Sequence, residues 1–204
     1  MSKYYIQIPC IPFYVPDCLD RLMIKLVLRY RKRKYGYTFR RIKLSQGKYA
    51  KVDPEDYENL SGFNWFAVDS ISTFYAQRNE NNKSIKMHRQ IMNPPPGFYV
   101  DHDNHNGLDN RKANLRLATP AQNSRNRLKG KRKTSSRYKG VYLVKSINKW
   151  RADIYHNNQA IYLGHFENEI NAAKAYDKAA IIYHGDFASL NFENNNANNV
   201  IARP

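Results

Sequence analysis

The stretch VDHDNHNGLDNRKANLRLATPAQNSRNR, residues 100–127, carries two histidines, three aspartates and six asparagines. Near its end, the letters TPAQ from Thr119 form a capping box with proline at the first helical position, which predicts a helix to about Arg127. FYVD, which ends just before His102, and NLRLA, which ends just before Thr119, read as two short strands. The stretch therefore predicts a strand, a polar loop, a second strand and a helix.

This arrangement can bring a metal ligand set and a base together. Asp101 and Asn123 can each offer an oxygen to one cation, while His102, the neighbour of a ligand, directs its imidazole elsewhere. Oxygen ligands suit magnesium or manganese. A neutral imidazole can take a proton from water, and a cation can neutralise charge on a phosphate and its leaving oxygen, so the set suits phosphodiester hydrolysis.

The spacing of these residues resembles that of the HNH endonucleases, in the branch found in mobile-element and phage homing enzymes. The matching residues are Asp101-His102, Asn114-Leu115 and the helical Asn123. The resemblance implies that His102 is the general base, that Asn114 orients it, and that Asp101 and Asn123 bind the metal ion. Other HNH enzymes carry histidine at the position of Asn123. We therefore expect magnesium, with manganese as the second choice, and no structural zinc.

Other polar residues around this stretch have weaker functional predictions. His105 is either a second metal or phosphate contact or a loop residue hydrogen-bonded to backbone. His88 and Arg89 lie in a segment that leads into the motif, and both are candidates for active-site support. For Arg89, a phosphate contact and a structural salt bridge are equally compatible with the sequence. The letters GLDN from Gly107 predict a turn with little direct chemistry.

The region before the motif predicts short mixed elements. An apolar stripe after Asp17 predicts a helix, which ends in RYRKRKYG as a cationic tip suited either to phosphate or to solvent. The alternating residues 40–53 predict a hairpin around Gln46-Gly47. PEDYENLSG predicts a short helix with Pro54 at its first position. NWFAVD and FYAQRN predict a further strand pair.

The region after Arg127 predicts a basic linker and then a second module. YKGVYLV, KWRADIY and AIYLGHF predict three short strands, and ENEINAAKAYDKAAIIYHG predicts a helix that can approach a sheet closely. Residues 136–192 resemble the apetala-two/ethylene-response-factor (ERF) DNA-binding domain over nearly the whole length of that domain. The resemblance implies a three-stranded antiparallel sheet backed by one helix, with the sheet in the major groove.

The alternation of side chains on the second of these strands separates a core face from a DNA face. Trp150, Ala152 and Ile154 fall on the core face. Tyr162 stands where plant domains carry tryptophan, and the first strand lacks their arginines, so we do not expect their GC-box preference. The predicted DNA contacts, in this module and in the segment before it, are Arg125, Arg127, Lys129, Lys131, Arg132, Lys133, Arg137, Lys139, Tyr142, Arg151, Asp153, Tyr155 and Tyr162.

The amino-acid composition also favours DNA as the partner. Lys and Arg number 34 against 17 Asp and Glu, a formal charge of +17, which predicts a polyanionic partner. Two cysteines eight residues apart form neither a disulfide framework nor a zinc motif. The apolar run CLDRLMIKLVL is short and interrupted by charges, and the N-terminal segment is a poor signal peptide. We therefore predict a cytoplasmic protein of a prokaryotic or phage-infected cell, with no membrane partner.

We predict an α+β fold with a small N-terminal α/β region, a central ββα-metal unit and a C-terminal sheet packed on one helix. The expected boundaries are 1–38 (helix and basic segment), 39–98 (α/β part of the nuclease region), 99–128 (HNH unit), 129–136 (basic linker), 137–192 (ERF-type domain) and 193–204 (flexible tail). The predicted function is metal-dependent cleavage of double-stranded DNA, with no small-molecule substrate. A monomer should nick, and a homodimer on DNA could break both strands. The alternative is a non-catalytic DNA-binding protein or regulator; an RNA binder is a weaker third hypothesis.

Overall fold

A computed structural model describes residues 17–70, 72–130 and 134–192 of the chain. The helices are α1 (Asp17–Tyr35), α2 (Tyr57–Ser61), α3 (Met87–Met92), α4 (Pro120–Arg125) and α5 (Glu169–His184). The strands are β1 (Arg40–Lys43), β2 (Tyr49–Val52), β3 (Phe66–Asp69), β4 (Phe74–Glu80), β5 (Lys83–Lys86), β6 (Tyr99–His102), β7 (Leu115–Ala118), β8 (Val141–Val144), β9 (Lys149–His156) and β10 (Gln159–Phe166). The predicted α+β fold class is confirmed.

The N-terminal region packs two small sheets on one apolar core. β1 and β2 form the predicted hairpin, and Gln46 and Gly47 both have positive φ at its turn. β3 and β4 pair as expected, but β5 was not predicted. The Asn81-Asn82 pair, with positive φ at both residues, is the turn signal for that strand. The buried core residues are Ile42, Leu44, Ala50, Val52, Leu60, Trp65, Ala67, Ala76 and Met87.

Two N-terminal helices differ in how well the sequence predicted them. The prediction of α1 is confirmed, although Leu22 and Leu26 of its apolar stripe are 53% and 48% exposed. The prediction that α2 begins at Pro54 is wrong, because residues 54–56 form a turn and the helix begins at Tyr57. Asp56 at its N-cap makes no side-chain capping bond.

The central unit contains the predicted strand, loop, strand and helix. β6 and β7 pair antiparallel, and a 3-10 turn at Lys112–Asn114 leads into β7. The capping box before α4 is confirmed, since Thr119 and Gln122 each accept a hydrogen bond from the other's backbone N–H. The loop between the strands is held by the edge of β2, where Lys51 donates its N–H to Leu108 and accepts from Asn110. The N-terminal region thereby fixes one side of the loop.

The C-terminal module is an antiparallel sheet in the order β10-β9-β8, covered on one face by α5. Ala152 and Ile154 of β9 face the alanines of α5, which let the helix approach the sheet closely. Gly140 has φ +72° and lies under the ring of Tyr176, so this position requires glycine. Trp150 packs partly buried against the same core, as predicted.

No helix in the described ranges is both long and apolar enough to cross a lipid bilayer.

Candidate functional site

β6 places Asp101 and His102 side by side in the central unit, and both side chains are buried. The imidazole Nε2 of His102 lies 3.3 Å from the amide Oδ1 of Asn110. An amide oxygen only accepts hydrogen bonds, so Nε2 carries the proton and Nδ1 is left as the basic nitrogen. The side chain that orients His102 is therefore Asn110, a residue that the sequence had suggested was only part of a turn.

The surroundings keep His102 neutral near pH 7. Burial lowers the pKa of His102, because a charged imidazolium loses its hydration there. The hydrogen bond to Asn110 and the carboxylates of Asp101 and Asp109 act in the opposite direction without cancelling the effect. A neutral imidazole with one unprotonated nitrogen is the state that accepts a proton.

Two further aromatic rings enclose His102. The ring of His88, at the start of α3, meets His102 edge to face at 5.0 Å between centroids, and the ring of Tyr75 lies 5.7 Å from it. His88 is buried, its Nδ1 has no hydrogen-bond partner within the described structure, and burial lowers its pKa to about 3. His88, predicted as a supporting residue, thus contacts the site. Tyr75 was not predicted.

The carboxylate of Asp101 is held by two side chains. Arg116 faces Asp101 across the β6–β7 pair, and its Nε and Nη2 lie 2.9 and 2.8 Å from Oδ2. Asn126, which caps the C-terminus of α4, donates its Nδ2 to both carboxylate oxygens at 2.9 and 2.8 Å. These contacts fix the direction in which the remaining lone pairs of Asp101 point.

The structure gives different roles to Asn123 in α4 and to Asn126 at the C-cap of that helix. Asn123, the predicted metal ligand, lies in the first turn and is half-buried. Asn126 is buried to 3% and is the one that contacts Asp101. Residues three apart share a helix face, so both asparagines point to the same side of α4. That spacing was the signal that could have identified Asn126 from the sequence.

The two side chains predicted to bind a metal ion, Asp101 and Asn123, both offer oxygen atoms as ligands. Within the described ranges, no three His, Cys, Asp or Glu residues form a metal-binding group. The predicted pair of Asp101 and Asn123 supplies one carboxylate and one amide, a set that suits a hard cation retaining several water ligands.

Asn114 braces the loop between the strands. Its Nδ2 donates to the carbonyl of Asp109 at 2.8 Å, and its Oδ1 accepts from the N–H of Asn104 at 3.1 Å. The contact to Asp109 holds the residue next to Asn110, so Asn114 reaches His102 only through this loop. The predicted orientation of His102 by Asn114 would therefore act through the loop and not through a bond that the described structure gives between the two side chains.

A buried carboxylate completes the same loop. Asp109 is 1% exposed and accepts two hydrogen bonds from Arg111, each of 2.7 Å. Burial acts to raise the pKa of Asp109, but the bonds and charge of Arg111 outweigh it and the pKa lies below its usual value. Asp109 is therefore a charged structural residue near the site.

The other two predicted support residues are peripheral. Arg89 donates to the carbonyl of Phe98 at 3.3 Å and forms no ion pair with any described residue. His105 is half-buried in the loop with φ +59°, and its backbone N–H donates to the carbonyl of His102. Both residues support the segments on either side of β6.

The C-terminal sheet presents an open polar face on the side away from α5. Arg151 donates to the carboxylate of Asp153 at 3.0 Å, and the hydroxyl of Tyr142 donates to the same carboxylate at 2.7 Å. The guanidinium of Arg151 also lies 4.9 Å from the ring of Tyr162. Tyr155 and Tyr162 are 63% and 51% exposed. These predicted DNA contacts share one accessible surface.

Other predicted DNA contacts lie elsewhere. Lys139, predicted to face DNA, instead directs its Nζ to the carbonyls of Arg125 and Arg127. Lys129 likewise donates to the carbonyl of Tyr138 at 2.7 Å. Arg137 donates to the hydroxyl of Tyr138 and remains exposed. Lys131, Arg132 and Lys133 lie outside the described residues.

Comparison with known proteins matches the central unit to one family. A family model described as HNH endonuclease matches residues 93–125. An HNH endonuclease of Acanthamoeba polyphaga mimivirus is 33% identical over 152 residues, which cover 72% of this chain and 76% of the viral protein.

The C-terminal region is similar to plant DNA-binding domains. An AP2-like ethylene-responsive transcription factor of Arabidopsis thaliana is 34% identical over 76 residues, which cover 37% of this chain and 16% of the plant protein. An AP2/ERF and B3 domain-containing protein of Oryza sativa subsp. japonica is 47% identical over 58 residues, which cover 28% of this chain and 16% of the rice protein. The similarity therefore concerns one module of these much longer relatives.

Proposed function

The chain belongs to the HNH endonuclease family, and from this membership we propose that it hydrolyses phosphodiester bonds of double-stranded DNA with one divalent metal ion. His102 is the general base, and Asp101 and Asn123 are the metal ligands. The observation that supports this proposal best is a neutral, buried imidazole with an unprotonated Nδ1, next in the chain to a carboxylate whose orientation is fixed.

His102 removes the proton from the attacking water. Its Nε2–H donates to Asn110, so the proton from water is accepted at Nδ1. Asn110 and the carboxylates of Asp101 and Asp109 stabilise the imidazolium that forms. The rings of His88 and Tyr75 restrict the imidazole to one orientation and exclude bulk water from one side of it.

Asp101 and Asn123 fit a magnesium or manganese ion because both offer oxygen atoms. Arg116 and Asn126 fix the Asp101 carboxylate before any ion binds, which lowers the cost of ordering the ligand. When bound, a divalent ion at this position neutralises charge on the phosphate and on the leaving oxygen. HNH nucleases generally use a divalent metal; magnesium is our proposal for this chain.

The open face of the C-terminal sheet binds the duplex. Arg151 is held by Asp153 and lies between tyrosine rings, so its guanidinium is presented in a defined direction. Arginine is the side chain best suited to the hydrogen-bond acceptors of guanine. The formal charge of +17 adds attraction to phosphates that does not depend on sequence.

A single site of this kind cuts one strand. We therefore propose that the monomer nicks DNA, and that a double-strand break needs two copies or two successive events.

A supercoiled-plasmid assay tests the proposal. The wild-type chain should convert supercoiled to nicked plasmid with magnesium or manganese and not with EDTA. His102→Ala should slow nicking by about 100-fold or more, the usual contribution of a general base. His156→Ala, which removes a histidine of the C-terminal module, is the matched control and should nick at close to the wild-type rate.

Two results would contradict the proposal. A plasmid left intact by the wild-type chain, across both metals and varied DNA sequences, would favour the non-catalytic DNA-binding alternative. Equal nicking by His102→Ala would show that another group is the base.

A further inference from the structure

The nuclease unit and the C-terminal module are joined by contacts that their separate functions do not require. Nζ of Lys139 donates to the carbonyls of Arg125 and Arg127 at 2.6 and 2.7 Å. These carbonyls lie at the end of α4, where the last C=O groups of a helix have no partner within the helix. Lys139, just before β8, therefore caps the helix that carries Asn123 and Asn126.

A second contact joins the two modules through β7. Arg116 of β7 donates to the carbonyl of Asp186 at 2.7 Å, and its guanidinium lies 4.2 Å from the ring of Phe187. Asp186 and Phe187 belong to a 3-10 turn that follows α5. Because Arg116 also holds Asp101, the C-terminal module touches a residue that positions the metal ligand.

Lys139 is partly buried where the two modules meet. Burial lowers the pKa of Lys139 to about 8, because the ammonium loses hydration in the interface. A lysine on an exposed tether between independent modules would keep its hydration. The two modules therefore meet through defined contacts, made by Lys139 on one and Arg116 on the other.

We propose that Lys139 is a positioning residue that locks the C-terminal module at one distance and orientation from His102. The enzyme consequently nicks at a fixed offset from the sequence that the module binds. The prediction of a fixed nicking offset rests on the proposed function. The locked arrangement does not, because it can be measured in the protein without DNA.

The expected difference between a locked and a tethered module is large enough to measure. An eight-residue flexible segment, such as 129–136 if nothing held its ends, has a root-mean-square span of roughly 16 Å. At about 3.4 Å per base pair, this is roughly five base pairs of duplex. A tethered module would scatter nicks over such a range, and a locked one would restrict them to one or two adjacent phosphates.

Mapping of nick positions by sequencing tests the offset. Wild-type chain, Lys139→Met and Lys145→Met are compared on a DNA library that contains the sequence selected by the module. Lys145 is exposed on the neighbouring turn, so its substitution removes the same charge without touching α4. We expect one offset for the wild type and for Lys145→Met, and nicks spread over several base pairs for Lys139→Met.

A distance measurement without DNA separates this inference from the nuclease proposal. Spin labels at Ser84→Cys in β5 and Ile182→Cys in α5, both exposed, are introduced after Cys10→Ser and Cys18→Ser. Electron-spin distance measurements should give a narrow distribution for the wild type and a broad one for Lys139→Met. Should Lys139→Met unfold the module, Phe187→Ala independently removes the ring that packs on Arg116 in the second contact and should also broaden the distribution.

Each outcome decides between the two proposals. A broad distribution in the wild type, or one offset retained by both interface variants, overturns the locked arrangement. A narrow distribution in a wild-type chain that does not nick leaves the locked arrangement supported and the nuclease proposal contradicted.

Discussion

The nuclease unit and the C-terminal module differ in the polarity of their buried side chains. The buried side chains around β6 and β7 are mainly polar, namely Asp101, His102, Asp109, Asn110, Asn114 and Asn126. Those of the C-terminal module are mainly apolar or aromatic, namely Tyr138, Val141, Ala152, Ile154, Ala172, Ala173, Tyr176, Ala179 and Ala180. The first interior depends on matched donors and acceptors, and the second on close packing.

This difference predicts two kinds of sensitivity. A buried polar group that loses its partner costs its full desolvation, so the nuclease unit should respond to the loss of single hydrogen bonds. A packed apolar interior should respond to added volume instead. The following three predictions test that contrast, beginning with the largest expected effect on stability.

Gly140→Ala should strongly destabilise the C-terminal module. An added Cβ would lie 2.0 Å from a ring carbon of Tyr176 and 2.7 Å from the carbonyl of Asp153, at a residue with φ +72°. Overpacking and the strained backbone together should cost about 2–5 kcal/mol. Calorimetric unfolding measures the loss, and Gly130→Ala, whose Cβ would meet nothing within 4 Å, is the control. Equal melting temperatures for the two variants would contradict this account of the core.

Asn126→Ala should destabilise the nuclease unit, and Asn123→Ala should not. Loss of the Asn126 amide leaves the buried carboxylate of Asp101 short of a donor, at a cost of about 1–3 kcal/mol. Asn123→Ala should change the free energy of unfolding by less than about 0.5 kcal/mol, the usual size at positions without a buried partner. It should nevertheless reduce metal-dependent nicking.

Urea unfolding and plasmid nicking together distinguish these two asparagines. If Asn126→Ala is as stable as the wild type, its bonds to Asp101 do not carry the structural role assigned to them. If Asn123→Ala nicks normally at limiting magnesium, Asn123 is not a metal ligand.

His88 should make stability depend on pH in the acid range. Its folded-state pKa of about 3 lies below the ordinary value of 6.5, so between these values only the unfolded chain takes up the proton. The free energy of unfolding should therefore fall as pH drops through this window, by up to about 1.4 kcal/mol per pH unit. Burial that lowers the pKa of His102 and His105 acts in the same direction.

A matched pair of variants isolates the His88 contribution. His88→Phe keeps a flat ring without a titrating nitrogen and should reduce the slope measured by urea unfolding between pH 4 and 7. His165→Phe changes an exposed histidine and should leave the slope unchanged. An unaltered slope in His88→Phe would show that His88 is not the group responsible.

Local sequence signals predicted many of the elements well. The capping box at Thr119 specifies the start of α4, since both of its hydrogen bonds close within four residues. Alternating residues likewise predicted the three strands of the C-terminal sheet. The predicted start of α2 was wrong, and the sequence analysis gave no strand at β5. A short helix and an edge strand both depend on contacts outside their own few residues.

The candidate site was predictable only in part. His102 and Asp101 are adjacent on one strand, so the sequence placed them together. Asn110, Tyr75 and Arg116 reach them from other segments, and no local pattern shows which of many asparagines or tyrosines will do so. Lys139 was assigned to DNA because a lysine on a basic module resembles a phosphate contact, whereas the structure directs its ammonium group to carbonyls at the end of α4.

The sequence alone determined most of the strands and helices, the strongly basic charge and the spacing of Asp101, His102, Asn114 and Asn123. These features depend on backbone propensity and on counting along the chain. The tertiary structure alone decided that Asn110 rather than Asn114 contacts His102, and that Lys139 joins the two modules. The physical reason is that a buried polar group selects its partner by distance in space, which separation along the chain does not specify.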